Sequence, residues 1–136
     1  MASWARAAEL ALFDAMHVAD RRHGIDVIAH LRSSGVTDRD VLAAGLLHDC
    51  AKGDTGAGPR IAWSLGEVLG AWLPDAAAGL PGWRAPITRL REHAWRSADL
   101  LAAAGLGERA VTLVREQASP RDPEYGAKFL AADEAS

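Results

Sequence analysis

Four side chains able to bind a metal ion lie where a helical protein normally keeps apolar residues. His48 and Asp49 lie in the middle of AAGLLHDCAKGD (residues 43–54), directly after five small or apolar residues. His23 and Asp133 follow the helical spacing of neighbouring apolar residues, so both are expected to point into the interior. A carboxylate buried alone is costly or becomes neutral. Because neutral imidazoles and ionised carboxylates are ordinary metal ligands, the four residues together predict a metal site.

The donor set also limits the identity of the metal ion. Two aspartates balance the charge of a divalent cation, and nitrogen and oxygen donors without a thiolate suit Mn, Fe, Co, Ni, Zn or Mg. The residues do not choose among these ions. Each position also has a structural alternative, since His48 and Asp49 could form a hydrogen-bonded pair at a helix end. In the same way, Asp133 could pair with Lys128 or with an arginine, and His23 could be a hydrogen-bonded core histidine.

The elements that must position these residues are helices. Apolar residues recur at helical spacing, Gly and Pro separate the segments, and no stretch alternates as a strand does. The sequence therefore predicts an all-α fold, a compact bundle of about six or seven helices in a single domain over residues 1–136. The predicted helices run from a Ser3 cap to Met16, and over 20–33, 38–49 (capped by Thr37), 59–73, 87–104, 108–117 and 124–136. Residues 74–86 are predicted to be an irregular connection.

Composition argues against several classes of partner. A formal net charge of −3 offers no basic surface for nucleic acid and no polybasic patch for a membrane. No segment approaches about eighteen consecutive apolar residues, and Arg6 and Glu9 interrupt any signal-peptide core. The single cysteine, Cys50, excludes an internal disulfide and suits a reducing compartment. We therefore expect a cytoplasmic protein without nucleic-acid or membrane partners.

The pattern resembles the HD-domain superfamily of metal-dependent phosphohydrolases, and most of all its small stand-alone bacterial members. The resemblance is carried by DRRHGIDVIAHL (residues 20–31), AAGLLHDCAKGD (43–54) and FLAADEAS (129–136). Members of that family use a helical bundle with an H…HD…D ligand set, and the order and rough spacing in this chain agree. The HD doublet after an apolar run, followed by lysine three residues later, is the most specific part of the match.

The resemblance implies both a ligand set and a reaction. It implies a mononuclear metal site with four protein ligands: His23, His48, Asp49 and Asp133. It further implies a phosphohydrolase that attacks a small phosphorylated substrate, such as a nucleotide, with metal-activated water. Asp49 would be the catalytic residue that orients this water or takes its proton.

Other polar residues near the motifs are implied substrate contacts. Lys52 resembles the lysine of the HDxxK form and would be catalytic, meeting a phosphate oxygen as a point charge, or else would stabilise the C-terminal end of the third helix. Arg22, next to His23, is a weaker phosphate-binding candidate. His93 would line the cavity and contact substrate, with a structural role as the equal alternative. Arg60 could reach a phosphate, although a surface salt bridge is the favoured interpretation.

The chain departs from relatives that hold two metal ions. Between the doublet and Asp133 only His93 is available, and Gln117, a poor metal ligand, stands where relatives often carry histidine. These differences favour a mononuclear site and argue against a cyclic-dinucleotide phosphodiesterase or a di-iron oxygenase. Two alternatives to an enzyme stay open. One is a regulatory module that binds metal and ligand but turns over slowly, and the other is a protein whose metal only joins helices.

Overall fold

The computed structural model describes residues 5–53 and 57–136, and over these ranges the chain forms α-helices and no strand. The all-α prediction is therefore confirmed. The eight helices of these ranges are α1 (Ala7–Ala15), α2 (Val18–Ser33), α3 (Arg39–Leu47), α4 (Ala57–Leu69), α5 (Trp72–Ala77), α6 (Arg84–Ala103), α7 (Glu108–Arg115) and α8 (Gly126–Glu134). None of them combines the length and the apolar character that a membrane span needs. The predicted Ser3 cap lies outside the described residues.

The prediction of six or seven helices is wrong, because the part of the chain that the structure describes has an additional short helix, α5. The predicted fourth helix stops early, at Leu69, since Gly70 has a φ of +116°, a conformation that glycine adopts readily. α5 then begins at Trp72, within the predicted fourth helix, and continues to Ala77 in the region predicted to be irregular. That proline is the third residue of α5, where its missing N–H costs nothing because the first four N–H groups of a helix have no partner within it.

The ends of α3 differ slightly from the prediction and position the site. Asp38, rather than Thr37, caps the helix by accepting hydrogen bonds from two backbone N–H groups at 2.9 and 3.2 Å. The last helical residue is Leu47, and the chain turns over the next four residues. His48 and Asp49 therefore lie in the turn that ends a buried helix, where the predicted helix had included them.

α3 is the central element of the fold. All residues from Val41 to Leu47 are buried, and the helix packs against α1, α2, α7 and α8. α6 packs on α7, and α4 and α5 pack against each other and against α6. The buried apolar side chains cluster around α3. The apolar run that leads into His48 is thus the middle of the hydrophobic core.

Two glycines allow α2 and α3 to cross at short range beside the candidate ligands. A Cβ built on Gly24 would lie 2.4 Å from the backbone oxygen of Leu46. A Cβ built on Gly45 would lie 2.8 Å from Cδ1 of Leu31. Gly24 directly follows His23, so this close backbone contact lies beside a candidate ligand.

An ion pair joins α4 to α2 across the segment that follows the HD doublet. The Arg60 guanidinium donates two hydrogen bonds to the carboxylate of Asp20, at 2.8 and 2.9 Å. It also donates to the backbone oxygen of Gly53 at 2.9 Å. Asp20 is only 4% exposed, so this pair, which we call the Asp20–Arg60 clamp, is not the surface salt bridge predicted for Arg60.

Candidate metal centre

Three of the four predicted ligands converge from three parts of the chain. His23 comes from α2, His48 from the turn after α3, and Asp133 from the last turn of α8. One oxygen of Asp133 lies 2.9 Å from Nε2 of His23 and 3.1 Å from Nε2 of His48. The ligand atoms of these three residues all lie within 4.8 Å of one another, so the group could hold a metal ion.

The orientation of His48 leaves a lone pair directed at this group. Its Nδ1 lies 2.9 Å from the backbone oxygen of Gly45. Since a carbonyl oxygen only accepts, we assign the ring hydrogen to Nδ1, and Nε2 of the neutral ring is then unprotonated. Nε2 therefore faces the carboxylate of Asp133, and two acceptors 3.1 Å apart need a cation or a proton between them. A backbone carbonyl that fixes the second ring nitrogen is the usual arrangement of a metal-bound histidine.

The pKa of His48 depends on burial and on two neighbouring carboxylates. The ring is buried, which opposes its charged form. The carboxylates of Asp49 and Asp133 outweigh this effect and raise the pKa of His48 above its ordinary value. In the same cluster, burial opposes ionisation of Asp133, but the adjacent His23 and His48 hold the pKa of this carboxyl well below its usual range.

Asp49 lies next to the three-residue group and is almost fully buried. One oxygen is 2.5 Å from Nζ of Lys52 and 3.6 Å from Nε2 of His48. Burial opposes its ionisation, but the charges of His48 and Lys52 outweigh burial and keep the pKa of Asp49 far below its usual range. The other oxygen, Oδ1, lies 3.2 Å from Nε2 of His93. Among the residues that the structure describes, no group hydrogen-bonds to Oδ1.

His93 repeats the arrangement of His48 on the other side of Asp49. Its Nδ1 lies 2.6 Å from the backbone oxygen of Leu90, and this contact orients Nε2 towards Asp49. The sequence analysis placed His93 in the cavity wall as a substrate contact. It does line the cavity, and the direct approach to Asp49 is a contact that the sequence did not indicate. No local pattern could have revealed it, because the two residues lie far apart in the chain.

Four polar side chains of the site line a cavity of about 630 Å³: His48, Asp49, His93 and Asp133. Together with His23, which contacts Asp133, they alternate imidazole and carboxylate in the order His23, Asp133, His48, Asp49 and His93. The lining also includes polar, charged and aromatic side chains from three helices: Trp63, Ser64 and Glu67 of α4, Arg91 of α6 and Glu134 of α8. A cavity of this volume can enclose a small organic molecule.

The remaining predicted residues divide into those that reach the cavity and those that do not. Lys52 lines it, with its ammonium group on Asp49. Arg22 is exposed on α2 and is not among the residues that line the cavity, so the structure does not bring this candidate into the site. Gln117 is buried and donates hydrogen bonds to the backbone oxygens of His48 and Val114, each at 3.2 Å. It therefore supports the turn that carries the doublet.

Comparisons with protein-family models, with curated proteins and with solved structures find no match to the chain. The interpretation of the site therefore depends on its own geometry. That geometry consists of a group of three potential ligand atoms, two carboxyls whose pKa values are held well below their usual range, and an adjoining cavity.

Proposed function

We propose that the chain is a metal-dependent phosphohydrolase of the HD-domain type, acting on a small phosphorylated metabolite such as a nucleotide. One observation carries the proposal: the ligand atoms of His23, His48 and Asp133 lie within 4.8 Å of one another beside an open cavity. A hydrogen-bonded pair at a helix end, the structural alternative, needs neither a third residue from another helix nor a cavity. The resemblance in motif order to the HD-domain superfamily supports the same interpretation.

The residues present fit a divalent cation. His23, His48 and Asp133 would hold it, with Asp49 as the fourth ligand, and the two carboxylates would balance its charge. Oδ1 of Asp49 is buried and accepts no hydrogen bond from the described residues, as expected of an oxygen that would bind a cation. When bound, such an ion would polarise a phosphoryl oxygen and lower the pKa of a water molecule.

Two residues of the chain could orient that water molecule and accept its proton. Asp49 is ionised and its Oδ1 is available, so it can accept a hydrogen bond from a water molecule and orient it. A carboxylate whose pKa is strongly lowered is a weak base, however, and it would retain a proton poorly. Nε2 of His93 lies 3.2 Å from the same oxygen, and in a neutral ring with its hydrogen on Nδ1 this nitrogen can take a proton, so we assign the role of proton acceptor to His93.

The cavity also suits an anionic substrate with a planar group. Lys52 and Arg91 supply positive charge, and Trp63 supplies an aromatic side chain to the lining. Two acids of the lining outside the proposed ligand set, Glu67 and Glu134, would repel a second phosphate group placed against them. We therefore favour a substrate with one phosphoryl group near the metal and a less charged remainder.

Metal content and turnover test the proposed function directly. We expect about one transition-metal ion per chain in untagged protein, and hydrolysis of a model phosphate ester with Mn, Fe, Co, Ni or Mg. The variant His48→Ala should lose the metal and at least about 100-fold in turnover while its helical circular dichroism persists. The matched control is His30→Ala, since His30 is exposed on the same helix as His23. A parent protein that takes up no metal at micromolar concentration would contradict the proposal.

Lys52 gives a second, separate test of the catalytic interpretation. The variant Lys52→Gln should keep its metal but lose roughly 10- to 100-fold in kcat/KM, because the cavity loses its cation nearest Asp49. Lys128→Gln is the control, because Lys128 is exposed and bonds to the backbone oxygen of Ser34 instead. An unchanged kcat/KM in Lys52→Gln would leave this residue only its structural role at the end of α3.

A second candidate function is a regulatory module that binds metal and ligand with little turnover. The observation that favours it is the 2.5 Å contact between Lys52 and Asp49, because the lysine charge is then already engaged and less available to a phosphate. Stoichiometric metal in the parent, together with ligand binding but no hydrolysis of any ester tested, would favour this module over the enzyme.

A further inference from the structure

The outer side of α4 carries an apolar stripe that no described part of the chain covers. Ile61, Leu65, Val68 and Leu69 are between 46% and 83% exposed and fall within an arc of about 100° on the helix. Trp72 extends the stripe beyond the helix end, since it is 62% exposed and its Nε1 donates a hydrogen bond to the backbone oxygen of Leu69. We call these five residues the outer stripe.

The outer stripe is not the core-facing side of α4. That side consists of Pro59, Ala62 and Gly66, all of which are buried. It packs tightly, since a Cβ on Gly66 would lie 2.5 Å from Cδ of Pro74 in α5. A third side of the helix, with Trp63 and Glu67, lines the metal-site cavity. α4 therefore cannot turn the outer stripe inward without losing both of its other contacts.

We propose that the outer stripe is the interface with a second copy of this chain, packed antiparallel about a two-fold axis. Within α4, Ile61, Leu65 and Leu69 follow one another at intervals of four residues, so this part of the stripe is symmetric about Leu65. In an antiparallel pair, Leu65 of each copy therefore faces Leu65 of the other, and Ile61 faces Leu69. A two-fold interface needs one self-complementary surface, and this stripe supplies it.

Area and charge both favour a second copy as the occupant. Given ordinary side-chain areas, the stripe exposes on the order of 500 Å² per copy, so that a pair would bury about 1,000 Å², the lower limit for a specific interface. Residues 57–69 contain only two charged residues, Arg60 and Glu67, and neither belongs to the stripe. Arg60 is bonded to Asp20 and Glu67 lines the cavity, so two copies would meet without like charges between them.

A membrane surface is the less suitable occupant for the same reason. Helices that bind in the plane of a membrane carry lysine and arginine on their polar side. α4 has one basic residue, and its guanidinium is bonded in the Asp20–Arg60 clamp. Binding to lipid is therefore an alternative outcome of the test.

Sedimentation velocity on the full chain at micromolar to hundred-micromolar concentration tests the interface. We expect the parent to be a dimer, and Leu65→Glu and Val68→Glu each to raise the dimer dissociation constant by about 100-fold or more, because each places a charge from both copies in an apolar contact. The matched control is Ile25→Glu, which adds the same charge at a residue that is 49% exposed on α2. This variant should remain dimeric.

Three results would overturn the proposal: a parent that is monomeric at every concentration, a dimer that survives both substitutions, or a dimer that Ile25→Glu disrupts to the same extent. Co-flotation of the parent with phosphatidylserine vesicles, lost in Val68→Glu, would assign the stripe to a membrane instead. Val68 is 83% exposed, so its variant decides the matter if Leu65→Glu loses its helical circular dichroism. Oligomeric state is measured with the metal chelated, so the result does not depend on the proposed enzyme.

Discussion

Replacement of Gly24 by alanine is expected to lower the free energy of unfolding by about 2 kcal/mol or more, against the usual trend for glycine in a helix. Alanine normally stabilises a helix interior by about 1 kcal/mol over glycine. Here the added Cβ would lie 2.4 Å from the backbone oxygen of Leu46, and a backbone atom cannot move away by changing rotamer. α2 and α3 would have to separate, with the loss of packing along their whole contact.

The same substitution should weaken metal binding, because Gly24 is adjacent to His23. Separation of α2 from α3 increases the distance between the ring nitrogens of His23 and His48, and we expect the affinity to fall by roughly 10- to 100-fold. Gly45→Ala is the matched control. Its Cβ would meet side chains and no backbone atom: Cδ1 of Leu31 at 2.8 Å, at the flexible end of that side chain, and Cγ1 of Val27 at 3.1 Å. Urea unfolding and calorimetric metal titration of both variants measure the two effects, and equal losses in Gly24→Ala and Gly45→Ala would contradict the steric argument.

Removal of the Arg60 guanidinium is the second change with a large expected effect. Arg60→Met should cost about 3 kcal/mol of unfolding free energy, because it leaves the carboxylate of Asp20 buried without its partner. The methionine keeps much of the apolar stem of the side chain, so the loss reports the charge rather than packing. Gly53 also loses the donor to its backbone oxygen, which loosens the segment just beyond Lys52.

A double-mutant cycle separates the clamp from the rest of the structure. The variant Asp20→Asn with Arg60→Met removes both charges, so most of the stability lost in Arg60→Met alone should return. Urea unfolding of the parent, the two single variants and the double variant gives the coupling free energy. If the two single losses simply add, then Asp20 and Arg60 do not stabilise the fold through each other.

The sequence predicted those parts of the site that depend on local patterns. The apolar residues before His48 are adjacent in the chain, and their continuous burial in α3 follows from that run alone. His23 and Asp133 lie on apolar helical faces, so their inward direction could be read from spacing. That the two residues meet was expected only from the resemblance to a known family. In the structure their ligand atoms lie in one group with that of His48.

The missed features are contacts between residues far apart in the chain. Nothing near His93 distinguishes it from a histidine on any half-buried helix face, and its approach to Asp49 depends on how α6 crosses the end of α3. Asp20 and Arg60 are separated by 40 residues, so their pairing could not be read from either segment. α5 was missed for a different reason, since Pro74 was interpreted as the end of a helix although it lies in a first turn.

The carbonyl contact of His48 has a consequence for the kinetics of the proposed metal uptake. The ring is fixed by the carbonyl of Gly45, three residues earlier in the chain, so its rotamer is set by local structure and not by an ion. Little side-chain entropy would then be lost when an ion binds, since Nε2 is already directed at the site. We therefore expect the rate of association to be set by the rate at which the hydrated ion loses its own water. The association rate should then differ widely between metals, since the protein rearranges little with any of them.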